Sequence, residues 1–277
     1  MPSIRHAAIV ALFRLTRRKQ RYASDAALLA SVRKRRGRIR PPGVLKGVEV
    51  GRDDGLGFPV YTVAPPGGAD RVGMYLHGGA YVNDVQPQHW SFVAEVVRRT
   101  GIALLVPLYP LAPEHTWADS FDLLLAVACE RLGDRPLLLG DSAGGGYALA
   151  LGQRLHRGGR TPECVLISPW LDVALDPEPD ADLARRDPWL DVPGLRAAGE
   201  LWAGGRTEIA EVSPLRGDSE GLRILVLCGT RDLLYPQSVA LGAPLIIEPD
   251  LIHCYPLLPI PEAKAARDAV VAFLRSP

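Results

Sequence analysis

The sequence predicts an α/β protein with a mainly parallel sheet covered by helices on both faces. Apolar runs of four to six residues recur along the chain, and segments with helical apolar spacing separate them. The runs are apolar throughout rather than alternating, as expected of strands buried on both faces. Composition agrees: 47% hydrophobic and 23% charged residues exclude a disordered or fibrous chain. A length of 277 residues suits one large domain or two small ones.

In residues 4–20, Ile4, Ala8, Ala11, Leu12 and Leu15 lie near helical spacing, and Ser24 is placed to cap a second helix over 25–36. Pro41-Pro42-Gly43 ends this N-terminal arm. Strands are then expected at 45–50, 59–63 and 72–76, a helix at 88–99, a strand at 102–106 and a helix at 118–131. Next come strand 136–139, helix 143–156 and strand 164–167. A stretch rich in Pro and Asp, 172–192, precedes helix 194–203, strands 223–227 and 244–248, and a final helix over 261–275.

The net charge of +1 hides a division. Residues 1–46 hold 13 Lys and Arg against Asp25 alone, a net of +12, which leaves −11 on the remainder. This reads as a basic arm on an acidic body. No nucleic-acid-reading motif accompanies the charge, which excludes that partner class. The arm's basic face is expected to be solvated, to dock on the acidic body, or to touch anionic lipid through Ala8, Leu12, Phe13 and Leu15.

Four cysteines, Cys129, Cys164, Cys228 and Cys254, are widely spaced without a C-x-x-C. That argues against a disulfide framework or zinc site and for a reducing, cytoplasmic setting. No apolar run approaches the ~20 residues of a membrane span. The apolar stretch Ala7–Phe13 is followed at once by Arg14 and Arg17-Arg18-Lys19, which argues against a secretory leader.

The most informative stretch is Pro136-Leu137-Leu138-Leu139-Gly140-Asp141-Ser142-Ala143-Gly144-Gly145-Gly146. It reads strand, G-x-S-x-G, helix. Such a turn lifts Ser142 above the sheet edge, and the helix N-terminus behind it favours an oxyanion. The bland alternative is a βα turn with a capping serine. A second signal, His77-Gly78-Gly79-Ala80-Tyr81, follows the strand at 72–76. Its N–H groups can face a substrate carbonyl, so an oxyanion hole is expected from Gly78, Gly79 or Ala80 together with Ala143.

These two segments resemble the signature pair of the hormone-sensitive-lipase-like family of α/β-hydrolases. Tyr109-Pro110-Leu111-Ala112-Pro113-Glu114-His115 resembles the family's Y-R-L-A-P-E-H, with Pro110 replacing the arginine, and Ser168-Pro169-Trp170-Leu171-Asp172 its S-P-W-x-D. The resemblance runs from about residue 45 to the C-terminus. It implies an α/β-hydrolase fold with an eight-stranded, mostly parallel sheet and a small helical cap. Residues 1–44 are then a cap arm, 45–277 the catalytic domain, and 172–212 a second cap segment. It also implies carboxylic-ester hydrolysis without metal or organic cofactor, on short-chain acyl esters, acetyl esters or lactones. Ala80 stands where the family has a third glycine.

A serine nucleophile needs a base, and the base an orienting acid; in this fold the order is Ser, acid, His. His156 lies at the far end of the helix after Ser142, which leaves His253. Asp250-Leu251-Ile252-His253-Cys254-Tyr255 resembles the family's G-x-x-H-x-F. Asp232, just past strand 223–227, resembles the acid of its G-x-x-D-x-L, and also suits a helix N-cap. Asp250 is the competing acid.

Asp232 and His253 are only 21 positions apart, so the intervening helix is expected to be a single turn or absent. Either the sheet edge is left exposed and invites a homodimer, or the His253 loop is displaced. Tyr81, Trp202, Leu201 and Trp189 are the candidates for lining the cleft. Two other readings remain: an amide deacetylase of the same fold, or a non-catalytic ligand-binding relative.

Overall fold

The computed structural model describes residues 2–35, 41 and 45–276. The N-terminal arm forms α1 (Ile4–Leu15), a 3-10 turn over Arg18–Tyr22, and α2 (Asp25–Val32). The body follows with β1 (Glu49–Asp53), β2 (Val60–Ala64), β3 (Val72–Leu76), α3 (Pro87–Thr100), β4 (Ala103–Pro107) and α4 (Phe121–Arg131). Then come β5 (Leu137–Asp141), α5 (Ala143–Arg157), β6 (Glu163–Ile167), α6 (Ala181–Arg186) and α7 (Val192–Ala203). The chain ends with β7 (Arg223–Gly229), α8 (Tyr235–Ala240), β8 (Leu245–Glu248) and α9 (Glu262–Arg275).

The sheet order is β1-β2-β4-β3-β5-β6-β7-β8, antiparallel at β1 and β2 and parallel from β4 to β8. This is the predicted mainly parallel eight-stranded sheet. β4, β5 and β6 are buried along their whole lengths, which is why Ala103–Val106, Leu137–Leu139 and Cys164–Ile167 read as apolar runs. β1 instead begins at Glu49 and is exposed throughout; Leu45 and Val48, expected in that strand, pack on the core ahead of it. A core lies on each face of the sheet. One holds Trp170, Trp202, Tyr81 and Tyr147; the other holds Trp90, Phe92, Val270 and Leu274. Registers such as Leu76↔Gly140 and Asp141↔Ile167 bring the carboxyl ends of β3, β5 and β6 together.

The arm breaks where a single helix over 4–20 was expected. α1 stops at Thr16, and Arg17 turns the chain at φ 50°. Ser24 caps α2 as predicted, accepting from the Ala27 N–H at 3.2 Å, but α2 ends at Val32; the end of the expected helix and most of Pro41-Pro42-Gly43 lie outside the described residues. The arm docks on its own body through paired cations. Lys19 Nζ donates to the Ala184 and Asp187 carbonyls and lies 3.9 Å from Asp191. Arg35 pairs with Glu114 at 2.6 Å. In α1, His6, Val10 and Phe13 face inward, while Ile4, Leu12 and Leu15 are exposed. Phe13 therefore leaves the outward apolar face to which the sequence assigned it, because its ring packs edge-on against Trp189.

The short Asp232–His253 connection contains α8, one and a half turns long. β8 is the last strand in the order and only partly buried, with Ile247 exposed. All four cysteines are free. No described helix is long and apolar enough to cross a membrane.

At the opposite, amino edge of the sheet, buried Glu163 at the start of β6 faces Arg71, Arg135 and Arg223 at 2.9, 2.8 and 2.5 Å. Glu163→Ala leaves three cations facing one another. We expect it to cost about 2 kcal/mol, less than a fully buried pair because the arginines are partly solvated. Urea unfolding measures this, and an unchanged midpoint would show the cluster to be screened out.

Candidate active site

β5 runs directly into Ser142, and α5 begins at Ala143. Ser142 is held at φ 52° and ψ −123°, a backbone that L-residues avoid. Two glycines make the turn possible. A Cβ on Gly140 would lie 2.1 Å from the Gly144 carbonyl oxygen, and one on Gly144 would lie 2.0 Å from that of Leu76. The Ser142 N–H donates to the Ile167 carbonyl at 2.8 Å, and its own carbonyl accepts from the Trp170 N–H at 2.9 Å. Ser142 thus stands at the carboxyl edge of the sheet, on the wall of a cavity.

The glycine-rich loop leaves β3 beside it. Gly78 does not offer its N–H to the cavity as the sequence suggested: that N–H donates to Asp141 Oδ1 at 2.9 Å. Gly79 and Ala80 line the cavity, and among the described residues nothing accepts from the N–H groups of Gly79, Ala80 or Ala143. The loop is held from below. His77 stacks on Tyr109 at 4.5 Å, and the Tyr109 hydroxyl donates to the His77 carbonyl at 2.6 Å. Burial, with His89 adding to it, lowers the His77 pKa to about 4, so the ring is neutral. Burial pushes the Asp141 carboxyl up, but His89, Tyr75 and the Gly78 N–H outweigh it and hold the pKa at about 2. Asp141 is therefore a fixed anion beneath the loop.

His253 Nδ1 lies 3.0 Å from each carboxylate oxygen of Asp232. Asp232 is fully buried, and its Oδ1 also accepts the Leu234 N–H at 2.9 Å, so it orders the turn into α8 as well. With Nδ1–H directed at Asp232, Nε2 is left as the acceptor that a general base requires. Asp250, the competing acid, is exposed, and its N–H donates to Thr230 Oγ1. The short α8 does not displace the histidine loop. The Arg231 N–H donates to the Leu251 carbonyl, and the Cys254 N–H to Ser168 Oγ, the serine of the S-P-W-x-D segment.

Two neighbours of this pair escaped the sequence reading. Asp187 is buried and accepts from the N–H groups of Trp189, Leu190 and Leu233 at 2.7, 2.9 and 2.8 Å. Burial, then the charge of Asp232, raises its pKa to about 6. Its signal was one Asp among several in 172–192. Cys254 Sγ lies 3.4 Å from His253 Nε2. Burial and then Asp141 keep it a thiol, able to donate to that nitrogen.

The cavity measures about 150 Å³. Its walls are the arm (Arg18, Arg21, Tyr22, Leu28), the glycine-rich loop, Ser142, Trp189 and the His253–Leu258 segment. Tyr81 and Trp202 lie outside these walls, contrary to expectation. They stack face to face at 4.4 Å within the core, where two large rings bury more apolar surface than a wet cleft allows. Leu201 is also absent from the lining, while Trp189 is part of it.

Residues 73–246 match the model of a family described by the alpha/beta hydrolase fold. The chain belongs to the α/β-hydrolase family. The Mycobacterium tuberculosis protein LipR, named for acetyl-hydrolase activity, is 34% identical over 192 residues, 66% of this chain and 62% of its own length. An acetyl-hydrolase of Streptomyces hygroscopicus is 31% identical over 233 residues, 74% of this chain and 76% of its own. A solved esterase of the bacterial hormone-sensitive lipase family superposes with a TM-score of 0.78 at 25% identity, covering 99% of this chain and 98% of that one. The resemblance read from the two glycine motifs is thus borne out, and with it the fold.

In this α/β-hydrolase, burial lowers the His253 pKa, but Asp232, Asp187 and Asp141 together raise it above its usual 6.5. We expect NMR titration of the imidazole to place its midpoint above 6.5. Asp187→Asn removes an anion that stabilises the imidazolium, so the midpoint should move down. A midpoint that stays in place would remove Asp187 from the electrostatics of the site.

Proposed function

We propose that this protein is a serine carboxylesterase acting on short-chain acyl esters through an acyl-enzyme on Ser142. The observation that carries the reading is the buried Asp232–His253 pair, with His253, Ser142, Gly79 and Ala80 lining one small cavity. His253 Nε2 takes the Ser142 proton as Oγ attacks the ester carbonyl. Asp232 fixes the tautomer and stabilises the imidazolium. The N–H groups of Gly79, Ala80 and Ala143 receive the oxyanion, each worth ~3 kcal/mol of transition-state stabilisation. The acyl–oxygen bond breaks, and the imidazolium protonates the leaving alcohol. Water then adds to the acyl carbon with His253 again as base, and Ser142 is released with the acid product.

Cavity size supports a small acyl group, since sites for larger ligands run to ~300–1,000 Å³. The two acetyl-hydrolase relatives point the same way, and we extend the proposal to acetyl esters. The arm serves as a cap, because Arg18, Tyr22 and Leu28 form one wall.

Purified protein should hydrolyse p-nitrophenyl acetate or butyrate, and an organophosphonate should label Ser142. Ser142→Ala should lower kcat by roughly 10⁴-fold or more. Neither turnover nor labelling in wild type would sink the esterase reading. Preferential cleavage of N-acetyl amides would replace it with a deacetylase. Asp232→Asn should cost far more than Asp250→Asn, and the reverse order would reassign the acid.

The outer face of α1 supports a second element of the proposal, peripheral contact with anionic lipid. Ile4, Ala8, Leu12 and Leu15 form an exposed stripe at helical spacing, with Arg5 and Arg14 also exposed. Vesicles containing phosphatidylglycerol should sediment the protein, and neutral phosphatidylcholine vesicles should not. Leu12→Ser with Leu15→Ser should weaken that binding severalfold. Equal recovery with both vesicle types would end this part of the proposal.

A further inference from the structure

The cations of the arm differ in how their charge is met. Lys19 and Arg35, which hold the arm to the body, have carbonyl and carboxylate partners. Arg18 and Arg21 line the cavity, and among the described residues neither has a carboxylate partner. Arg18 is half-buried, with its guanidinium carbon 5.0 Å from the Phe13 ring centre and 5.6 Å from that of Trp189. Aromatic faces orient a guanidinium and attract it, but they do not satisfy its N–H donors. Burial, and then the like charge of Arg21, lowers the Arg18 pKa, with Tyr22 offsetting part of it. The acids of the cavity wall, Asp84 and Asp141, belong to the glycine-loop and elbow side, and neither is among the charges acting on Arg18.

The direction from Arg18 to the chemistry is set by stacked rings. Trp189 lies under Arg18 and packs edge-on against His253, with centroids 5.4 Å apart. The histidine is the group that hands a proton to the departing alcohol. Arg18 and His253 thus line the same cavity with Trp189 in contact with both.

We propose that Arg18, assisted by Arg21, determines specificity by receiving an anionic group, a carboxylate or phosphate, carried on the alcohol portion of the ester. The natural substrates would then be short-chain acyl esters of acidic alcohols or phenols. This rests on the esterase reading above, and deepens it by naming a substrate class for the same site.

The test compares 4-acetoxybenzoate with its neutral methyl ester and reads the ratio of the two kcat/KM values. Wild type should favour the anion, although the methyl ester carries the better leaving group. Arg18→Gln should lower the ratio about tenfold, mainly through KM for the anion, as expected for loss of a partly solvated charge-assisted hydrogen bond. Arg18→Lys, which keeps the charge and an apolar stem, should recover much of it. A ratio equal in wild type and Arg18→Gln would overturn the proposal, as would a wild-type preference for the neutral ester. If neither ester is turned over, p-nitrophenyl acetate turnover decides separately whether the esterase reading stands. Calorimetric titration with 4-hydroxybenzoate then decides the anion site: weaker binding to Arg18→Gln supports it, and equal binding overturns it.

Discussion

The carboxylate of Asp141 ties the two halves of the site together. It follows Gly140 at the end of β5, immediately before Ser142, and its oxygens take the Gly78 N–H, the Tyr75 hydroxyl and the His89 ring. A buried anion with this many donors is costly to move, because each donor would be left unsatisfied in a low-dielectric interior. The strained serine and the glycine-rich loop consequently keep one relative position. The neighbouring contact between Gly144 and the Leu76 carbonyl allows no side chain, so the two backbones are also locked by their shapes.

The charge division along the sequence has a structural meaning. The basic arm lies on the acidic body, one of the placements expected of it, and its paired cations fix it there. One 3-10 turn carries both kinds of cation: Lys19 points to the 184–191 segment, and Arg18 to the cavity. The same 184–191 segment contains Asp187, which accepts the N–H of Leu233 next to the acid, and Trp189, which packs on the base. Arm, insertion and histidine loop thus form a connected wall, and a shift of the arm would be felt at His253.

Much of the fold and part of the site were legible in the chain because they follow from local rules. Buried parallel strands are apolar throughout, and a strand–G-x-S-x-G–helix pattern admits one backbone path. Asp232 and His253 were legible through chain order together with the resemblance to the family's acid and histidine segments, which left Asp250 open as the acid. What escaped depended on contacts made in three dimensions. Gly78 looks like a free donor until the Asp141 side chain is seen to take its N–H. Tyr81 and Trp202 look like cleft residues, but aromatic residues next to a site and aromatic residues beneath it have the same letters. By spacing Phe13 joins the stripe that the sequence offers for lipid contact, yet Trp189, 176 positions later, draws it inward. Asp187 had no pattern around it, since its role comes from two backbone donors in its own turn and a third, Leu233, from a distant segment.

The connection between the acid and the base is unusually lean, and its leanness carries a consequence. The histidine loop is anchored by the Arg231–Leu251 and Ser168–Cys254 bonds and by the carboxylate itself. None of these anchors lies in residues 233–243. That stretch sits at the rim of the sheet with a helix of six residues over a strand of four. Its inner side is tied in, since buried Gln237 accepts the Leu171 and Asp172 N–H groups and the Leu234 N–H donates to Asp232, whereas Val239, Ala240 and Gly242 are exposed. A foreign segment grafted at that outer turn would leave the acid and the base in place, because exposed turns absorb insertions best.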